Sequence, residues 1–328
     1  MGEQIRSVQR KFAESPAPTP PTIRPVARRF EGTETMEGAG VRLRRMFSGN
    51  EVPLLDPFLL LDNFGSSNPA DYLAGFPWHP HRGIETVTYM LSGQVAHEDS
   101  LGNAGRIDPG DVQWMSAGSG VLHQEMPQRT EGRLAGFQLW VNLPRRLKME
   151  IPAYRGLRAT GIPVVRTSDG GVVKVVAGSF QGVEGPVREI PVDPTYLDVT
   201  LPRESEFSLP VRNGHTVFAQ AVEGWGTFDP HGMAEGAGTA LPARSRDPAR
   251  TLSKARAGET VLFGEGDRVQ IRAGGEGLRF LFVAGRPLHE PVAWYGPIVM
   301  NTQSEIREAA RDLERGTFIR SQQVVNEE

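Results

Sequence analysis

The sequence predicts an all-β protein made of two tandem, small antiparallel barrels with a single C-terminal helix, and three observations carry that prediction. The 38 glycines and 26 prolines fall between short apolar stretches instead of clustering, which is how many short strands are punctuated. The stretches themselves alternate apolar and polar residues and are rich in Val, Thr and aromatics, as half-buried strands require. The two halves also look alike: each has a hairpin, a Gly-Asp turn and a further alternating strand, as duplication of one small barrel would leave. At 328 residues the chain is long enough to bury two cores.

Taken in order, residues 1–40 read as a flexible, basic, Pro-rich arm. Within residues 1–29, Arg6, Arg10, Lys11, Arg24, Arg28 and Arg29 stand against only Glu3 and Glu14, and the stretch SPAPTPPTIRP has too little apolar surface to order itself. A first barrel is expected over 41–150, with strands in GVRLRRMF, GIETVTYML, GQVAHED, DVQWMSA and AGFQLWVNL. Turns at Ser92-Gly93 and Asp108-Pro109-Gly110 separate them. The polar, proline-bounded stretch at 144–163 marks the boundary. A second barrel is expected over 163–300, with strands in VVKVVAG, TYLDVTL, HTVFAQAVE, ETVLFG, DRVQIRA and LRFLFVAG, and with a long polar loop at 228–250. Residues 301–328 form a helix and tail: Thr302 with Glu305 makes a capping box, and Gly316 stops the helix.

Bulk properties exclude several function classes. A formal net charge of -3 leaves no electrostatic case for direct nucleic-acid binding. No apolar run reaches the roughly 18 residues that span a bilayer, so no membrane insertion is expected. The N-terminus lacks the apolar core of a signal peptide, which points to a cytoplasmic protein. Cysteine is absent, so any bound metal must be held by nitrogen and oxygen.

Ligand-type residues occur as two pairs, His79-Pro80-His81 and His123-Gln124-Glu125. Residues i and i+2 of an extended strand share a face, so neighbouring strands can converge four donors on one point. Three imidazoles and a carboxylate suit iron(II), manganese, nickel, cobalt or copper and leave coordination positions open. Glu85 competes with Glu125 as fourth donor, because 79, 81 and 85 share one parity; Gly83 between them can bulge the strand and upset it. His97, in the strand AHED, and His215, His231 and His289 read as surface or structural histidines. Phe76, Trp78, Met90, Trp114, Met115 and Trp140 are candidates for a flat aromatic slot, or simply for barrel core.

The strings FPWHPHRGIETVTYMLSGQVAHED, IDPGDVQWMSAGSGVLHQEMP and FQLWVNL resemble the pirin family, as do DPFLLLDNF near residue 60 and the closing AGRPLHEPVAWYGPIVMNTQSEI. The similarity runs from about residue 40 to about residue 315. It implies two cupin barrels of jelly-roll type, with Fe(II) in the N-terminal barrel only. The family's three histidines and one glutamate fall on His79, His81, His123 and Glu125, which decides against Glu85. The resemblance further implies a dioxygenase of the quercetin 2,3-dioxygenase (flavonol 2,4-dioxygenase) type, acting on a small planar aromatic substrate and O2; in such an enzyme Glu125 is expected also to serve as general base, since a metal-bound carboxylate can shift coordination and accept the substrate's proton. The alternative it carries is an iron-dependent redox-sensing regulator whose partner is a transcription factor or a metabolic enzyme.

Overall fold

The computed structural model describes residues 21–230 and 253–320, so most of the loop expected at 228–250, the first 20 residues and the extreme C-terminus lie outside the described residues. Alternation of apolar and polar residues produces what it predicts: strands stacked into two β-sandwich units of jelly-roll type. The first unit faces a seven-stranded sheet with a four-stranded one. The larger sheet runs, edge to edge, Ala153–Leu157, Val112–Ser116, Ile84–Ser92, Leu134–Asn142, Phe58–Ser66, Val41–Phe47 and Thr33–Glu37. The smaller runs Phe76–His81, Val121–Pro127, Val95–Asp99 and Ala104–Ile107. The second unit is built on one nine-stranded sheet.

Strand parity decides what each face of the first unit does. In Ile84–Ser92, Val87 and Tyr89 point to a core shared with the second unit, where they join Trp114, Phe137, Leu139, Phe218, Leu281 and Val283. Thr88, of the opposite parity, points into the first unit and donates a hydrogen bond to Glu125. The two units are therefore joined by an apolar seam, while the first unit keeps a partly polar interior.

Three elements depart from the sequence expectation. Residues 26–37 are not part of a flexible arm: Val26–Phe30 pairs with Thr260–Phe263 in the second unit, and Thr33–Glu37 pairs with Val41–Phe47 in the first. Composition suggested otherwise because these strands are short and charged, and what holds them is pairing with a sheet edge distant in sequence. Next, DRVQIRA and LRFLFVAG, expected as two strands, are one strand, Arg268–Gly285, which continues through the intervening glycines with a shift of register against Thr216–Phe228. A Cβ on Gly274 would sit 2.1 Å from the Trp225 ring, so the glycine serves a close approach. Finally, Ala153–Leu157 lies in the expected boundary stretch and extends the first sheet along Val112–Ser116.

The C-terminal helix forms as expected over Gln303–Glu314, with the reciprocal Thr302–Glu305 capping box. Together with the hairpin of Ala293–Tyr295 and Ile298–Met300, it returns from the second unit to the first, where Ile298 bridges to Arg82. No helix among the described residues is long and apolar enough to cross a membrane.

Candidate metal centre

The strands Phe76–His81 and Val121–Pro127 are antiparallel neighbours, with His81 opposite Val121 and His79 opposite His123. Pairing plus the two-residue repeat brings His79, His81 and His123 together, one ligand atom from each lying within 4.8 Å of the others. His79 Nδ1 lies 2.8 Å from the Pro77 carbonyl and His81 Nδ1 lies 3.1 Å from the Pro297 carbonyl. A carbonyl only accepts, so both Nδ1 atoms carry the hydrogen and both Nε2 atoms present lone pairs. Those two Nε2 atoms face each other at 3.1 Å.

Two facing lone pairs need a cation between them. His123 adds a second indication, since neither of its buried ring nitrogens has a hydrogen-bond partner among the described residues. Protonation of His81 and of His123 is disfavoured: burial and the neighbouring His79 push His81 down to about 3, and burial beside His81, His79 and His97 pushes His123 well below its usual value. Three imidazoles converging on one point fit a transition-metal ion, and the all-nitrogen, cysteine-free donor set suits iron, manganese, nickel, cobalt or copper.

Glu125 sits two residues beyond His123, but the strand register shifts between them, and its carboxylate does not join the histidine group. Instead, Oε1 accepts from the Thr88 hydroxyl at 2.9 Å and Oε2 accepts from the Gln138 amide at 2.8 Å. Glu85 lies elsewhere: it opens the strand after the Gly83 turn, is buried, and accepts from the Trp114 indole at 3.2 Å. Gly83 does break the parity that made Glu85 a rival, with a φ of +80°.

The histidines outside the pairs separate. His97 is not on the surface: it is buried, its ring centroid lies 5.5 Å from that of His123, and it stacks on Tyr154 at 5.2 Å. His215 belongs to the second unit, near Asp193, and the backbone N–H of His289 donates to Asp56. His231 lies outside the described residues.

His79 and His81 open onto a cleft of about 670 Å³. Phe76, Trp78 and Trp140 line it as anticipated, whereas Met90, Trp114 and Met115 are fully buried core. Trp294 and Pro297 of the C-terminal hairpin complete the wall. Trp140 packs edge-on against His81 at 5.1 Å and lies 5.9 Å from Trp294 at an interplanar angle of 34°. Arg45 and Asp62, a bidentate pair at 2.9 and 2.8 Å, form the polar side. Sequence reasoning missed Trp294, Pro297, Gln138 and Asp62; no motif marks them, because they join the site only through sheet pairing and the returning C-terminus.

Comparison with known proteins agrees with this architecture. The pirin family model matches residues 40–141, and the model of the pirin C-terminal cupin domain matches residues 196–319. The chain belongs to the pirin family. It is 42% identical over 297 residues to a pirin-like protein of Caulobacter vibrioides, a match spanning 90% of this chain and 99% of that one. Pirin of Homo sapiens is 40% identical over 282 residues, 85% of this chain and 88% of its own. Among solved structures, a quercetin 2,3-dioxygenase from Acinetobacter baumannii superposes with a TM-score of 0.78 at 32% identity, covering 91% of this chain and all of that one. The two sandwich units are thus the two cupin domains of a pirin, and the histidine cluster lies in the N-terminal one.

Proposed function

We propose that this pirin is a metal-dependent dioxygenase that opens a flavonol-type planar aromatic, such as quercetin, with O2. The observation that carries the proposal is the convergence of three imidazoles at a cleft walled by four aromatic side chains. The similarity to a quercetin 2,3-dioxygenase supports the same chemistry.

His79, His81 and His123 would hold the metal, with iron(II) the first choice, and Glu125, two residues beyond His123, would be the fourth ligand. A redox-active divalent ion at that point supplies Lewis acidity toward an ionised hydroxyl and one-electron chemistry toward dioxygen. The protein does the rest. Trp78, Trp140, Trp294 and Phe76 sandwich a flat ring system and exclude water from it. The Trp140 indole N–H has no partner among the described residues and is a directional donor for a substrate oxygen. Glu125 Oε1 or Oε2 accepts the proton of the substrate hydroxyl, while Thr88 and Gln138 hold the carboxylate in place.

The test is oxygen-dependent loss of quercetin by metal-stripped protein reloaded anaerobically with iron(II), or with manganese, nickel, cobalt or copper, beside a His79→Ala control. Turnover that requires metal and vanishes in the control supports the reading. Tight metal binding without turnover of any flavonol overturns it.

A further inference from the structure

The two members of the histidine pair are oriented by different parts of the chain. His79 takes its orienting carbonyl from Pro77, two residues away in its own strand. His81 takes its carbonyl from Pro297, 216 residues away, in the hairpin that returns from the second unit to the first. We infer that the C-terminal segment, residues 293–318, is a positioning element of the metal centre: it fixes His81 in the tautomer that binds metal, and so governs how tightly the ion is held. This inference rests on the metal site proposed above but not on the substrate or the reaction.

The attachment of that segment is built around the turn that follows His81. Val299 N–H donates to the Arg82 carbonyl at 3.1 Å. The buried Arg82 guanidinium donates to the Ser119 carbonyl at 2.6 Å, to Asp312 Oδ2 at 2.8 Å and to the Phe318 carbonyl at 3.1 Å, and it lies 4.2 Å from the centre of the Phe318 ring. Lys148, also buried, places all three ammonium hydrogens on acceptors: the Gly83 carbonyl at 2.7 Å, Asn142 Oδ1 at 2.6 Å and the Val299 carbonyl at 3.0 Å. Two buried basic side chains thus clamp the hairpin and helix against residues 82 and 83. The cost of burying two such strongly polar groups is hard to reconcile with mere chain tethering, for which apolar contacts suffice. It fits a need for one fixed position of the Pro297 carbonyl, since orienting partners of metal-binding histidines set ligand direction and basicity.

The test uses full-length protein with cobalt(II) as the probe. Asp312→Ala removes the carboxylate that anchors Arg82 to the helix, and Asp312→Asn keeps an acceptor there. Expected is that Asp312→Ala releases cobalt(II) to a chelator about tenfold faster than wild type, within the range seen when such orienting partners are lost. The visible spectrum of the bound ion should change with it, and Asp312→Asn should recover most of both. Phe318→Ala, which removes the ring beneath the guanidinium, should act in the same direction. In metal-free protein, nitrogen NMR should find the His81 hydrogen on Nδ1 in the wild type and a mixture of tautomers in Asp312→Ala. Unchanged release and spectrum in a variant whose circular dichroism shows it folded overturns the inference and leaves the metal site standing. Failure of the wild type to take up cobalt(II) overturns the metal site, and this inference with it.

Discussion

Replacing Glu85 by glutamine should stabilise the protein at neutral and alkaline pH and leave its metal binding intact. Burial pushes the Glu85 carboxyl up from 4.5 to about 7, against the smaller pull of the Trp114 indole hydrogen bond and of Arg155. Below about pH 4.5 the group is protonated in both the folded and the unfolded chain, so it contributes no pH dependence. Between about 4.5 and 7 the unfolded chain releases the proton and the folded one keeps it, so stability falls as pH rises. Above about 7 the deficit is constant, and at about 1.4 kcal/mol for each pH unit separating the two values it amounts to roughly 3 kcal/mol. A glutamine side chain never ionises, and its carbonyl oxygen can still accept from Trp114. Urea denaturation of metal-free wild type and Glu85→Gln from about pH 4.5 to 8.5 should show curves that coincide at the acid end and separate to roughly 3 kcal/mol at about pH 8. A variant less stable at the alkaline end, or a difference independent of pH, would refute the burial argument. Loss of metal from the variant would show that Glu85 is a ligand after all.

Other perturbations separate the remaining parts. His123→Ala should lower metal affinity more than about a hundredfold, whereas His215→Ala in the second domain should leave it unchanged, as read by metal content after dialysis; equal effects would undo the site assignment. Glu125→Gln should retain the metal and lose most flavonol turnover, because the amide cannot take the substrate's proton. Gly83→Ala should destabilise the protein by about 2 kcal/mol or more by denaturant titration. Its φ is +80° and an added Cβ would lie 2.0 Å from the Val299 carbonyl, so full wild-type stability would show that the C-terminal hairpin does not seat there.

The strand pattern, the duplication, the capped C-terminal helix and the two ligand-type pairs were legible because each is local: it depends on a period of two, a turn residue or a cap within a few positions. The separation of Glu85 from the histidines was half legible, since Gly83 announced a break in parity without saying where the carboxylate would go. What the linear pattern could not show depends on pairing across large sequence distances. Val26–Phe30 is charged and short, and only the edge offered by Thr260–Phe263 makes it a strand. His97 looked like an isolated histidine until its strand, Val95–Asp99, was laid beside Val121–Pro127, with His97 opposite Glu125. Pro297 lies 216 residues from His81, and no spacing rule connects the two. The sequence by itself determined which residue types are present to bind a metal and that they lie on extended strands. Only the tertiary structure decided their orientation, because a histidine's tautomer is set by whatever carbonyl the fold places against its far nitrogen, and for His81 that carbonyl arrives with the returning end of the chain.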